Sequence, residues 1–190
     1  MAKGLVIISC IVVVVVLAFS GCATMGETKA PKFVLRVNCA ATEPYTDKAG
    51  NLWLLDQVME EGKEWGFVDG ETIDRGDLGI TGTDAPKIYE TERYSMSTYK
   101  FKVPNGKYTV RLHFAETYDG ITGDGQRIFS ITINEKTFLE DFDPYKEAGG
   151  FQKPVVKTIK SLAITNGELV IGFTGNIQNP EINGIEILSE

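Results

Sequence analysis

Residues 105–116 read Asn-Gly-Lys-Tyr-Thr-Val-Arg-Leu-His-Phe-Ala-Glu, and they carry the clearest structural pattern of the chain. Every second residue in its centre is apolar: Tyr108, Val110, Leu112 and Phe114. Strict alternation of apolar and polar residues is typical of a β-strand with one face in a core. A turn signal, Pro104-Asn105-Gly106, precedes the strand. The stretch therefore predicts a half-buried strand that follows a tight turn.

The same period of two recurs on both sides of this strand, in residues 99–103, 128–133 and 169–173. Turn signals at Asn134-Glu135 and Asn166-Gly167 separate these segments. Many short strands at this spacing predict an all-β fold, a single-domain β-sandwich of the jelly-roll type. The predicted core contains Val37, Phe101, Val110, Leu112, Phe114, Ile131, Ile171 and Ile185. Only Leu52–Trp65 is compatible with a helix, and we expect at most a turn or two there.

Length and charge limit the classes of function. A chain of 190 residues has the length of one domain once a targeting segment is set aside. Its formal net charge is −7. Nucleic-acid binding requires a positive surface that releases counterions. The composition therefore predicts no nucleic-acid partner.

The N-terminus has the pattern of an export signal. Lys3 precedes an apolar run from Leu5 to Phe19, which is shorter than the ~20 residues that span a bilayer. The run ends in Phe19-Ser20-Gly21-Cys22, which resembles the lipobox of bacterial lipoproteins, although Leu is usual where Phe19 stands. We expect a signal peptide (1–21), lipidation at Cys22, a lipidated end and flexible tether (22–32) and a domain (33–190). The alternative is an uncleaved membrane anchor. Both predict an exported protein, and the first predicts a lipid anchor in the bacterial cell envelope.

The remaining chemistry favours a domain without catalytic activity, metal or cofactor. No P-loop, GxSxG, HExxH or CxxC motif is present. Cys39 follows an apolar run and is expected to be a small buried residue, and His113, the single histidine, is expected to be structural.

Two acidic patterns leave other chemistry open. Glu116 with Asp119, or Asp141 with Asp143, are candidates for the carboxylate pair of a glycosidase. Asp119-Gly120 and Asp124-Gly125 combine acids and glycines as calcium loops do. The calcium-loop pattern lacks its terminal Glu here, so an ordinary hairpin loop is the preferred interpretation of Asp119-Gly120 and Asp124-Gly125.

Several motifs, taken together in order and spacing, resemble a known family over nearly all of residues 34–188. They are Leu35–Ala41, Tyr45–Asp47 with Gly50, Trp53 and Asp56, Trp65–Gly70, Tyr89–Ser95, Asn105–Glu116, Gly125–Phe129 and Asn179–Ile187. These motifs identify the chain as similar to the malectin domain, a jelly-roll carbohydrate-binding module.

The resemblance implies a glycan site formed by aromatic and polar residues on loops. The residues that it assigns to this site are Phe67, Arg93, Tyr94, Tyr118, Asp119 and Gln178. Flat rings contact the apolar faces of sugars, while amides, carboxylates and Arg93 orient hydroxyl groups. Asp119 and Gln178 stand where the family has an aromatic and an acidic residue, so the family's glucose-disaccharide specificity is not carried over.

Two functions follow. The first is a non-catalytic lipoprotein domain that binds oligosaccharide through loop aromatics. The second is an adaptor that binds another envelope protein, its sugar site altered or lost. Convergence of Phe67, Tyr94, Tyr118 and Gln178 on one concave site would favour the first, and side chains that scatter or face inward would favour the second.

Overall fold

The computed structural model of the chain describes residues 32–190. The predicted signal peptide, Cys22 and residues 22–31 of the predicted tether lie outside the described residues. The described part is almost entirely β-structure. Its strands, in chain order, are β1 (Val34–Asn38), β2 (Tyr45–Thr46), β3 (Leu52–Leu55), β4 (Trp65–Phe67), β5 (Glu71–Asp74), β6 (Thr91–Tyr94), β7 (Thr98–Lys102), β8 (Gly106–Phe114), β9 (Ile128–Ile133), β10 (Lys136–Phe142), β11 (Val155–Ile164), β12 (Glu168–Ile177), β13 (Glu181–Ile182) and β14 (Gly184–Ser189). A 3₁₀ turn at Pro86–Tyr89 and a short helix, α1 (Pro144–Ala148), complete the described elements.

The strands form two large sheets and one small sheet. The first has six strands in the order β11-β8-β14-β1-β3-β2, and the second has five in the order β10-β9-β12-β7-β4. The small sheet has the order β13-β6-β5. Strand pairs within these sheets are antiparallel except β1 with β3, which are parallel. The fold is a β-sandwich, as predicted.

The core consists of residues from both large sheets. All eight predicted core residues have a relative exposure of 0%. Phe114 of β8 packs against Phe142 of β10, with ring centroids 4.9 Å apart, and Phe129 of β9 lies 6.0 Å from Phe114. Full burial of each such side chain stabilises the fold by about 1.5–3 kcal/mol. The alternation in the sequence therefore identified the core correctly.

The turns, Cys39 and His113 also match the predictions. Asn134 and Glu135 have φ angles of 46° and 65° and connect β9 to β10, as a tight hairpin turn requires. Cys39 is buried. His113 is buried and forms hydrogen bonds with Tyr89 (2.9 Å) and Glu186 (3.0 Å), which makes it a structural residue.

The helix-compatible stretch Leu52–Trp65 contains no helix. Leu52–Leu55 forms β3, in which Leu54 pairs with Val37 of β1, and Val58 forms a bridge with Phe67. Pairing with strands distant in sequence supplies hydrogen bonds and packing that outweigh local helix propensity. The segment therefore extends the first sheet and delivers Asp56 to the interior.

Candidate functional site

A cavity of about 300 Å³ lies among strand ends of the sandwich. Three of the predicted site residues line it: Tyr94, Tyr118 and Gln178. Sequence reasoning had not assigned the other five lining residues, which are Ile73, Arg75, Glu92, Arg127 and Asn179. The cavity thus combines two aromatic rings with charged and amide side chains.

The small sheet forms one wall of the cavity. Ile73 of β5 pairs with Glu92 of β6, and Tyr94 follows Glu92 by two residues on the same strand. Because side chains of a strand alternate between its faces, Glu92 and Tyr94 are on one face. Both residues line the cavity, so this face of the small sheet borders it.

The same alternation directs Arg93 away from the cavity. Its guanidinium donates two hydrogen bonds to Asp56, at 2.7 and 3.3 Å, and lies 3.3 Å from the centroid of the Phe67 ring. Arg93 and Phe67 are both buried. The structure therefore does not bring these two predicted site residues to the cavity. They form part of a buried cluster on the opposite face of β6, where Tyr99 also donates to Asp56.

Tyr118 lies in the segment that follows β8, and its exposed fraction is 40%. Asp119, the next residue, is exposed but does not line the cavity. The guanidinium carbon of Arg75 lies 5.5 Å from the centroid of the Tyr118 ring, a cation–π distance. Tyr118 is thus a wall of the cavity that solvent reaches.

A layer of paired charges contributes Arg75, Glu92 and Arg127 to the lining of the cavity. Arg75 donates to Glu92 at 3.1 Å, and the second oxygen of Glu92 accepts a hydrogen bond from Thr117 at 2.7 Å. Arg127 donates to both oxygens of Glu116, at 2.6 and 3.3 Å, and to the carbonyl of Asn179 at 2.6 Å. Burial raises the pKa of Glu116, although its bonds with Arg127 oppose the shift. These bonds join the segment after β8 to the segment after β12.

Glu181 is the unpaired member of this layer. It is opposite Tyr94 in the β13–β6 pairing, so its side chain is on the same face of the small sheet. Its exposure is 0%, and neither carboxyl oxygen has a hydrogen-bond partner. Within residues 32–190, Arg75 Nε is the one other buried side-chain nitrogen or oxygen without a partner. Burial and the negative charge of Glu92 raise the pKa of Glu181 well above its ordinary value, which favours the neutral acid.

Some of the missed residues had a signal in the sequence. Glu92 precedes Tyr94 by two positions, so the period of a strand predicts a shared face. Arg127, Asn179 and Glu181 lie in segments that already carry the family resemblance, but no local pattern indicates that these segments meet. Arg75 follows β5 and has no signal of its own.

The acidic pairs considered for catalysis have structural bonds. Glu116 is paired with Arg127. Asp143 caps the start of α1 by accepting from Lys146 N, and it also accepts from Gly125 N. Asp141 accepts a hydrogen bond from Asn176. In the part of the chain that the structure describes, no group of three or more His, Cys, Asp or Glu side chains is arranged to hold a metal ion. No helix between residues 32 and 190 is both long and apolar enough to cross a membrane.

The fold and the cavity together define a class, that of β-sandwich domains with an open site among their strand ends. The family model described as the malectin domain matches residues 33–185, and the chain belongs to this family. It is 40% identical over 101 residues to a probable leucine-rich-repeat receptor-like serine/threonine-protein kinase of Arabidopsis thaliana, a match that covers 50% of this chain and 10% of the kinase. The chain therefore corresponds to a small part of that relative.

Solved structures share the fold. A β-glucuronidase of Bacteroides uniformis superposes with a TM-score of 0.74 at 24% identity, covering 83% of this chain and 18% of the enzyme. A plant structure described as the peptide RALF23 in complex with FER and LLG2 superposes with a TM-score of 0.67 at 22% identity, covering 83% of this chain and 48% of the matched chain. At these identities the likeness concerns the fold alone.

Proposed function

We propose that the domain binds oligosaccharide, without catalysing a reaction, in the cavity lined by Tyr94 and Tyr118. The observation that carries the proposal is the convergence of these two rings and Gln178 on one cavity whose other groups are mostly polar. Sugars have apolar ring faces and hydroxyl edges, and such a site offers a partner to each. The family membership supports the same class of ligand.

The charges of the site favour an uncharged glycan. Arg75 and Arg127 are balanced by Glu92 and Glu116, and the raised pKa of Glu181 favours its neutral form. An ionic ligand would add a charge without a free counter-charge. Hydroxyl groups can instead accept from Arg75 and Gln178 and donate to Glu92.

The expected affinity is modest. A stacked aromatic contact contributes about 0.5–1.5 kcal/mol beyond burial. Each hydroxyl hydrogen bond contributes about 0.5–1.5 kcal/mol net. After the entropy of association is subtracted, a site of this size is expected to bind in the ~µM to mM range.

The test is a glycan array followed by calorimetry with the strongest oligosaccharide. Tyr118→Ala is expected to abolish measurable binding and to leave the melting temperature nearly unchanged, because an exposed ring contributes little to the core. Tyr145→Ala, which removes a half-buried tyrosine of α1 outside the cavity, is the matched control and is expected to bind normally. Unaltered affinity of the Tyr118→Ala variant would refute the proposed site.

A second candidate function is that of a protein-binding adaptor in the cell envelope. Its support is the fold likeness to a plant chain whose structure contains a bound peptide, together with the altered positions Asp119 and Gln178 and the burial of Phe67 away from the cavity. No glycan bound on the array, combined with cross-linking of Tyr118 to an envelope protein, would favour the adaptor.

We further propose that the chain is exported and anchored by lipid at Cys22 to a bacterial membrane. The support is the sequence alone: Lys3, the apolar run from Leu5 and the Ser20-Gly21-Cys22 motif. The proposed anchor would display the glycan site in the cell envelope.

A further inference from the structure

Two hydrogen bonds hold the backbone of Tyr118, so the ring moves mainly by rotation of its side chain. Tyr118 N donates to Glu116 Oε1 at 2.9 Å, and Tyr118 O accepts from Ile121 N at 2.9 Å. Glu116 is itself fixed by Arg127. The position of the ring therefore depends on what it contacts beyond its own backbone.

One of these contacts is a residue without a side chain. A Cβ atom added to Gly120 would lie 2.5, 2.6 and 2.8 Å from Cε1, Cζ and Oη of Tyr118. Ordinary carbon–carbon contacts are about 3.5–4.0 Å, so a side chain at residue 120 would displace the ring by about 1 Å. Gly120 does not have a positive φ angle, so the turn itself does not require glycine there.

We propose that Gly120 is a positioning residue of the cavity: its missing side chain lets the Tyr118 ring lie against residue 120 and beside Arg75. The second contact is the cation–π approach of Arg75, whose guanidinium is oriented by Glu92. The ring is thereby held in place before a ligand arrives, which lowers the entropy lost on binding. The effect on affinity rests on the proposed function, whereas the position of the ring does not.

The experiment uses the full chain in detergent micelles and the variants Gly120→Ala and Gly123→Ala. Gly123 is the matched control in the same segment, because a Cβ atom there would meet nothing closer than 3.9 Å and its φ angle is not positive. Fluorine NMR of protein labelled with 3-fluorotyrosine reports on each of the seven tyrosines, and Tyr118→Phe assigns the resonance of Tyr118. Gly120→Ala is expected to shift that resonance alone, and Gly123→Ala is expected to shift none. An unchanged Tyr118 resonance in Gly120→Ala would overturn the inference whether or not a glycan binds.

Calorimetry with the strongest array oligosaccharide measures the consequence for binding. Gly120→Ala is expected to weaken binding about two- to tenfold, the size of one stacking contact, with an unchanged melting temperature. If Tyr118→Ala loses binding while Gly120→Ala retains wild-type affinity, the positioning role is wrong and the proposed function stands. If Tyr118→Ala retains wild-type affinity, the proposed site fails, and the NMR result still decides the position of the ring.

Discussion

Replacing Arg127 by Met tests whether the charged layer at the cavity also stabilises the fold. The arginine is buried and donates three hydrogen bonds, two to Glu116 and one to the carbonyl of Asn179. Its removal leaves the carboxylate of Glu116, which has 0% exposure, without an opposite charge. Breaking a buried pair in this way costs about 3–5 kcal/mol. For a domain of this size the melting temperature is expected to fall by about 6–20 °C.

Urea unfolding, monitored by tryptophan fluorescence, measures the free energy of unfolding. Lys102→Met is the matched control, because its ion pair with Glu64 is exposed on both sides and such pairs contribute about 0–1 kcal/mol. The deficit of Arg127→Met is expected to be smaller at pH 5 than at pH 8, because the loss of the arginine raises the pKa of Glu116 further and protonation then removes the buried charge. If Arg127→Met loses no more unfolding free energy than Lys102→Met at both pH 5 and pH 8, the pair does not stabilise the fold.

Three further predictions concern the core, the unpaired acid and the export signal. Phe114→Ala is expected to destabilise the domain by about 3–5 kcal/mol in urea unfolding, since the ring is fully buried; a loss below about 1 kcal/mol would contradict its place in the core. Burial raises the pKa of Glu181 above its ordinary 4.5, so its contribution to stability is fully present below pH 4.5 and declines as the pH rises towards the folded-state value. Glu181→Gln is therefore expected to remove this decline between pH 4 and 8, and parallel pH profiles of the two proteins would disprove it. Cys22→Ser is expected to abolish metabolic labelling with fatty acid, because serine has no thiol to form the thioether; equal labelling would favour the uncleaved anchor.

The sequence predicted the sandwich because its strands are half-buried. Leu112 and Ile171 belong to alternating runs, and a single face of each run can enter the core. Leu52–Leu55 was missed because its partner, β1, lies elsewhere in the chain, and local composition does not encode that pairing. Local patterns in many segments thus predict the class of fold. They do not predict whether one particular segment becomes a strand, because that depends on its pairing partner.

The site was predictable only in part, for the same reason. Tyr94 and Tyr118 were identified by motif, but Arg93 beside Tyr94 was assigned to the site although adjacent residues of a strand point to opposite faces. The meeting of Arg127 with Glu116 and Asn179 requires the topology, because the connections between these segments have no periodic signal. Glu181 has an unusual environment that becomes apparent only once β13 is paired with β6.

The first and last strands of the domain lie side by side. Val34 pairs with Leu188, and two hydrogen bonds of 2.9 Å join Phe33 to Ser189. This junction is beside Tyr108, near the start of β8. Phe114, at the other end of β8, is about 20 Å from Tyr108 at about 3.3 Å per residue, and Tyr118 follows Phe114 in the chain. The two ends of the domain therefore lie at neighbouring points of the fold. Tyr118, one wall of the cavity, follows the other end of β8.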